Sequence, residues 1–162
     1  MVIPIRRLSI YVTLVTFLLL TGFDKVQQLQ ISKVETNILE NENILTYDIQ
    51  LQNTGNKPFK SKFDYPGNRY LGIEVVVKPK RKLAAKMDLV ENSKYIKMIL
   101  IESESTKMIP PKSEGKFHLE YKIKEGSDPN YVKRMAFEST LLILDGVEIL
   151  KEIPLKSYKY TH

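Results

Sequence analysis

Beyond Phe23 the chain alternates polar and apolar positions at a period of two far more often than at 3.6, the pattern of half-buried strands. Residues 44–52 carry it most plainly: Leu45, Tyr47, Ile49 and Leu51 fall on one face, Thr46, Asp48 and Gln50 on the other. Asn53-Thr54-Gly55-Asn56-Lys57-Pro58 stops that strand with residues that fix φ or tolerate positive φ. Residues 116–124 repeat the design, with Phe117, Leu119, Tyr121 and Ile123 set against Lys116, His118, Glu120, Lys122 and Lys124, after a loop built on Pro110-Pro111. Weaker strands are predicted at residues 29–35, 72–78 and 95–102. Residues 136–144 and 147–155 are predicted to form a hairpin, because Asp145-Gly146 between apolar runs offers the two positive-φ positions of a tight turn. The continuous run Leu141-Leu142-Ile143-Leu144 suits a strand covered on both faces. One helical signal interrupts the pattern: Asp128 as N-cap and Pro129 at the first helical position start a turn or two through Met135. About seven strands separated by turn clusters predict an all-β fold, an antiparallel β-sandwich. With no Cys and no Trp, the hallmarks of antibody domains are absent, so the sandwich is immunoglobulin-like in architecture only.

The front of the chain reads differently. Arg6 and Arg7 precede an apolar run over residues 8–23, shorter than the roughly 20 residues that cross a bilayer comfortably and near the upper end for a signal-peptide core. The arginines resist translocation, so everything after Phe23 is expected outside the cytoplasm, secreted or membrane-anchored in the cell envelope. Residues 1–23 are therefore expected as a signal peptide or membrane-anchor helix, residues 24–155 as one β-sandwich domain and residues 156–162 as a basic aromatic tail. Leu20-Thr21-Gly22 resembles the lipobox of bacterial lipoproteins, in which a lipidated cysteine follows. Here Phe23 follows, so the resemblance implies no thioether-linked lipid and leaves inefficient cleavage or retention as a short anchor.

Charge and composition narrow the chemistry. The full chain has 25 Lys+Arg against 19 Asp+Glu. Without Arg6 and Arg7 the exported part is about +4, a modest bias toward anionic surfaces such as phospholipid headgroups or acidic wall polymers. Nucleic acid is not expected as a partner, since neither an RNA-binding sheet motif nor a helix-turn-helix is legible. Zero cysteines exclude disulfides, thiolate metal sites and a cysteine nucleophile. The only histidines are His118, on the polar side of its strand, and the terminal His162. No serine elbow, phosphate-cradling glycine loop or paired-ligand helix is present, so neither catalysis nor a cofactor or metal is expected. Glu102 and Glu104 share one side of an extended segment that Asp48 or Glu120 could face across a sheet, a solvated strand face rather than a glycosidase pair.

Two stretches are candidate contact surfaces. Lys78, Lys80, Arg81, Lys82 and Lys86 put five positive charges into nine residues, read either as a solvated hairpin loop or as an anionic-surface contact. The surface reading takes in phosphate groups, wall polymer, or a foot on the anionic leaflet beside the N-terminal anchor. The second stretch, residues 59–70, mixes Phe59, Phe63, Tyr65, Arg69 and Tyr70 with turn residues, as binding loops do, although Phe59 and Phe63 also suit a plug for the end of the sandwich.

The pattern Tyr47-x-Ile49-x-Leu51-x-Asn53-x-Gly55, then Ile109-Pro110-Pro111 and Phe117-x-Leu119-x-Tyr121, resembles small secreted immunoglobulin-like sandwiches of Gram-positive bacteria. The resemblance spans roughly residues 29–155 and implies fold, not activity. The intracellular proteinase-inhibitor sandwiches of bacilli share a similar pattern, which implies an alternative: inhibition through a loop such as residues 59–70. The leading expectation is a non-catalytic, exported envelope module that binds membrane through its N-terminal segment and contacts an anionic polymer or a protein partner.

Overall fold

The computed structural model describes residues 28–62 and 72–159. The expected signal or anchor at residues 1–23 lies outside them, as do Phe63, Tyr65, Arg69 and Tyr70 of the aromatic stretch. Among the described residues, no helix is long and apolar enough to cross a membrane.

The chain is mostly β, and every strand pairing is antiparallel. In chain order the strands are β1 (Leu29–Leu39), β2 (Ile44–Asn53), β3 (Phe59–Lys60), β4 (Glu74–Pro79), β5 (Leu100–Ser105), β6 (Met108–Ile109), β7 (Glu114–Lys122), β8 (Ser139–Asp145) and β9 (Glu148–Pro154). Among the described residues two short α-helices join them, α1 (Arg81–Ala84) after β4 and α2 (Pro129–Met135) after β7. The strands form a four-stranded sheet β1-β2-β7-β5, a three-stranded sheet β4-β8-β9 and a small β3-β6 ladder.

The alternation explains the core. Leu45, Tyr47, Ile49 and Leu51 of β2 and Phe117, Leu119 and Tyr121 of β7 turn inward and meet Val75 and Val77 of β4 and Leu141 and Ile143 of β8 in one buried cluster. Each such side chain contributes about 1.5–3 kcal/mol by leaving water. Tyr47 and Tyr121 pack edge to face at 5.9 Å, and both place their hydroxyls on partners outside the four-stranded sheet. Tyr47 donates to the Ala136 carbonyl just after α2 at 2.8 Å, and the Val77 amide donates to the Tyr121 hydroxyl at 2.9 Å. Burial pushes both phenols far above their ordinary range, so they act as neutral hydrogen-bonding groups.

Leu141 to Leu144 are all buried, Leu141 and Ile143 in the main core, Leu142 and Leu144 on the opposite face with Val76. Tyr95 covers that second cluster, and residues 97–99 pair with residues 88–90, Val90 donating to the Lys97 carbonyl and Ile99 to the Asp88 carbonyl, so the strand expected at residues 95–102 starts only at Leu100. The hairpin is present but shifted by one residue. Asp145 pairs with Glu148 at the end of β8, and the turn is Gly146-Val147 with Gly146 at φ 61°. A long-range contact accompanies the shift: the buried Asp145 carboxylate accepts the Ser61 hydroxyl and the Lys62 amide, the latter at 2.8 Å, and stays in the ladder. A two-residue loop then takes its positive φ from the glycine alone. The cap of α2 is as predicted, Asp128 accepting from the Asn130 amide at 2.9 Å. Residues 156–158, expected as part of a tail, belong to a 3-10 turn, Leu155–Tyr158, with Leu155 buried and Tyr158 packed on the core.

Strand β2 defines two ends of the molecule about 30 Å apart, ten residues at the usual rise. At one end the buried Asn53 amide donates to the carbonyls of Lys57, Ile109 and Pro110 at 2.8, 3.1 and 3.2 Å and accepts from the Gly55 amide at 2.9 Å. This ties the β2–β4 connection to β6. Gly115 of β7 completes the junction, because a Cβ there would stand 2.7 Å from the Ile109 side chain. At the other end, Ile123 donates to the Asn43 carbonyl at 2.8 Å and bridges to Met87, bringing the segment after α1 against the segment before α2.

Candidate functional site

The basic run is not a hairpin loop. Lys78 and Pro79 finish β4, Lys80 caps α1, Arg81 and Lys82 form its first turn, and Leu83 and Ala84 are buried beneath. Two of the five candidate cations are already paired: Lys78 with Glu152 at 3.4 Å and Lys80 with Glu138 at 3.6 Å. Glu138 also holds Lys156 at 3.4 Å. Desolvation works against its charge, but the Lys156 and Lys80 ammoniums outweigh it and keep the Glu138 carboxyl below its ordinary range. Arg81, Lys82 and Lys86 make no ion pair among the described residues.

Three further cations join them. The Lys124 amide donates to the Lys86 carbonyl at 3.0 Å, which fixes Lys124 beside the run. Helix α2 lies alongside, and the Tyr131 ring has the Lys86 ammonium 5.9 Å and the Arg134 guanidinium 5.8 Å from its centroid. Lys133 and Arg134 occupy the last turn of α2, where positive charge suits the helix dipole. Arg81, Lys82, Lys86, Lys124, Lys133 and Arg134 thus converge on one end, with Asp88, Glu125 and Asp128 of the same segments and Glu40 and Glu42 of the adjoining β1–β2 turn as its carboxylates. Lys133-Arg134 was visible as a dibasic pair. Nothing in linear order sets it beside residues 81–86, because the β7–β8 crossover does so.

The aromatic stretch does not supply the expected loop contact at Phe59, which is 6% exposed and part of the core. It is the plug rather than the anchor.

The outer face of the four-stranded sheet carries a cross-strand row, Glu35 on β1, Asp48 on β2, His118 on β7 and Glu104 on β5, with Glu102 and Glu120 paired beside it. His118 meets the Asp48 carboxylate through Nδ1 at 2.7 Å and the Glu120 carboxylate through Nε2 at 3.1 Å. Both ring nitrogens face acceptors, an arrangement only the imidazolium satisfies, and no nitrogen is left to take a proton from a substrate. The Asp48 hydrogen bond, then the Glu120 bond, raise the His118 pKa above its ordinary value against a small desolvation effect. Among the described residues, no group of three or more His, Asp or Glu is disposed to hold a metal ion.

A pH dependence follows. The folded value lies above the unfolded one, so the stabilisation is complete below about pH 6.5 and is lost as pH rises through the folded value. Wild type should therefore exceed His118→Gln in Tm most at about pH 5.5, with the gap closing toward about pH 8.5. Thermal unfolding of both proteins across that range checks this, and a constant gap contradicts it.

No protein-family model, curated protein or solved structure matches the chain.

Proposed function

We propose that the protein is an exported, non-catalytic cell-envelope module of immunoglobulin-like architecture whose α1–α2 end contacts a phosphate-bearing anionic polymer. The strand order supports the architecture. Taken in chain order without the short β3 and β6, strands β1, β2, β4, β5, β7, β8 and β9 fall into sheets β1-β2-β7-β5 and β4-β8-β9. That is the ABED and CFG division of a constant-type immunoglobulin sandwich. Export is supported by Arg6 and Arg7 ahead of the apolar run over residues 8–23.

One observation carries the binding reading: six cations from two helices and their flanks share one end without ion-pair partners among the described residues. Their position also favours a polymer over the leaflet that holds the N-terminal segment. Leu29 pairs with Asn53, and Thr54 donates to the Gln28 carbonyl at 2.9 Å, so the chain enters the fold at the end opposite α1 and α2. The basic run is about 30 Å from a foot beside the anchor. Equilibrium binding of the full chain to long-chain inorganic polyphosphate, with neutral dextran as reference, tests the proposal. The expected result is polyphosphate affinity that falls steeply with added salt and no dextran binding. Lack of polyphosphate binding at low salt overturns it.

A further inference from the structure

The end where the chain enters is cationic as well. Lys57, Lys60, Lys62, Lys107 and Lys112 are all exposed there, delivered by three separate connections. The β3–β6 ladder sets Lys60 opposite Met108, next to Lys107, and the Asn53 amide holds the Lys57 and Pro110 carbonyls together. Lys112, at φ 57°, turns its ammonium back to the Thr54 carbonyl. Lys57, Lys60, Lys62 and Lys107 make no ion pair among the described residues. Among the described residues, Asp145 is turned inward onto Ser61 and Lys62, and Glu74, Glu114 and Glu148 are the exposed carboxylates at this end. Between the two basic ends, the outer face of the four-stranded sheet mixes Glu35, Asp48, Glu102, Glu104 and Glu120 with Lys33, Lys116, Lys122 and the His118 imidazolium. An anionic surface is therefore attracted more to either end than to this mixed-charge flank.

Gln28 marks where the N-terminal segment meets this same end. Residues 24–27 span at most about 14 Å when extended. We infer that the Lys57–Lys60–Lys62–Lys107 end seats on an anionic phospholipid leaflet, so that the module stands end-on and holds its α1–α2 end outward as a spacer. This rests on the membrane reading of residues 8–23, and it is independent of polyphosphate binding at the far end.

The absence of cysteine makes the orientation measurable. Asn56→Cys and Ala85→Cys, exposed positions at the two ends, each accept a single donor fluorophore in the full chain. The labelled proteins are mixed with vesicles of phosphatidylglycerol and phosphatidylcholine carrying a headgroup-linked acceptor. Energy transfer should be several-fold higher from position 56 than from position 85. Adding Lys57→Glu, Lys60→Glu and Lys107→Glu, or using phosphatidylcholine alone, should reduce that difference. Association with equal or reversed transfer overturns the seat while leaving the anchor, and failure to associate with either vesicle overturns both.

Discussion

Asn53→Asp is expected to cost more stability than any surface substitution in this protein, lowering Tm by roughly 10–20 °C. The two side chains have the same shape, so packing is unchanged and the chemistry is isolated. The wild-type amide donates to three carbonyl oxygens within 3.2 Å and accepts from Gly55, all at a side chain that is 1% exposed. Aspartate replaces the donor with an oxygen facing those three carbonyls and brings a charge into a site that water does not reach. Each buried group left without its partner costs about 1–3 kcal/mol, and the buried charge adds to that, giving about 4 kcal/mol or more out of the 5–15 typical of a domain. Part of the loss should return as pH falls and the carboxyl protonates, a signature that a cavity or a clash would lack. Hydrogen exchange localises the effect, because Phe59 and Ile109 lose the tie that holds their ladder. A Tm within about 2 °C of wild type would remove Asn53 from its role as the organiser of that end.

Reversing Arg81, Lys82 and Lys133 to glutamate is expected to weaken polyphosphate binding by about 10²-fold or more. Each near-surface cation contributes about 1 kcal/mol to attraction by a polyanion surface, and reversal adds repulsion to the loss. The salt dependence should flatten at the same time, since fewer counterions are exchanged on binding. Folding should be nearly unaffected: all three side chains are exposed and none holds an ion pair among the described residues. Lys78→Glu with Lys80→Glu is the informative control. Those two ammoniums are engaged by Glu152 and Glu138 rather than open to the polymer, so per reversed charge the double variant should change affinity less than the triple one. Equal losses per reversed charge would mean that net charge, not the α1–α2 arrangement, governs binding.

What the sequence reveals follows from which faces are buried. Strands β2, beyond Thr46, and β7 bury one face and wet much of the other, so their alternation is plain and their limits were legible to within about two residues. Strand β8 buries both, and its unbroken apolar run said so. Strand β5 buries neither: all six residues are exposed at a sheet edge, so no alternation exists to read, and the apolar residues before it drew the prediction N-terminal. The two-residue strands β3 and β6 are tied together by Asn53, whose turn was legible but whose bonds to the Ile109 and Pro110 carbonyls were not. The same division holds at the basic end. The run from Lys78 to Lys86 was plain in the sequence, but the neutralisation of Lys78 and Lys80 depends on glutamates about 60 to 75 positions away. Lys133 and Arg134 join through a crossover that linear order does not encode.

The claim that anionic ligands are received at the basic ends rather than on the mixed-charge outer face of the four-stranded sheet is tested most directly by an amide chemical-shift map of the full chain titrated with inorganic polyphosphate at low salt. The expected result is a set of shifts at residues 81–86, 124 and 131–134, with weaker shifts at residues 57–62 and 107, and none along Glu35, Asp48, His118 and Glu104. Shifts centred on that cross-strand row, or spread evenly over the surface, would contradict it.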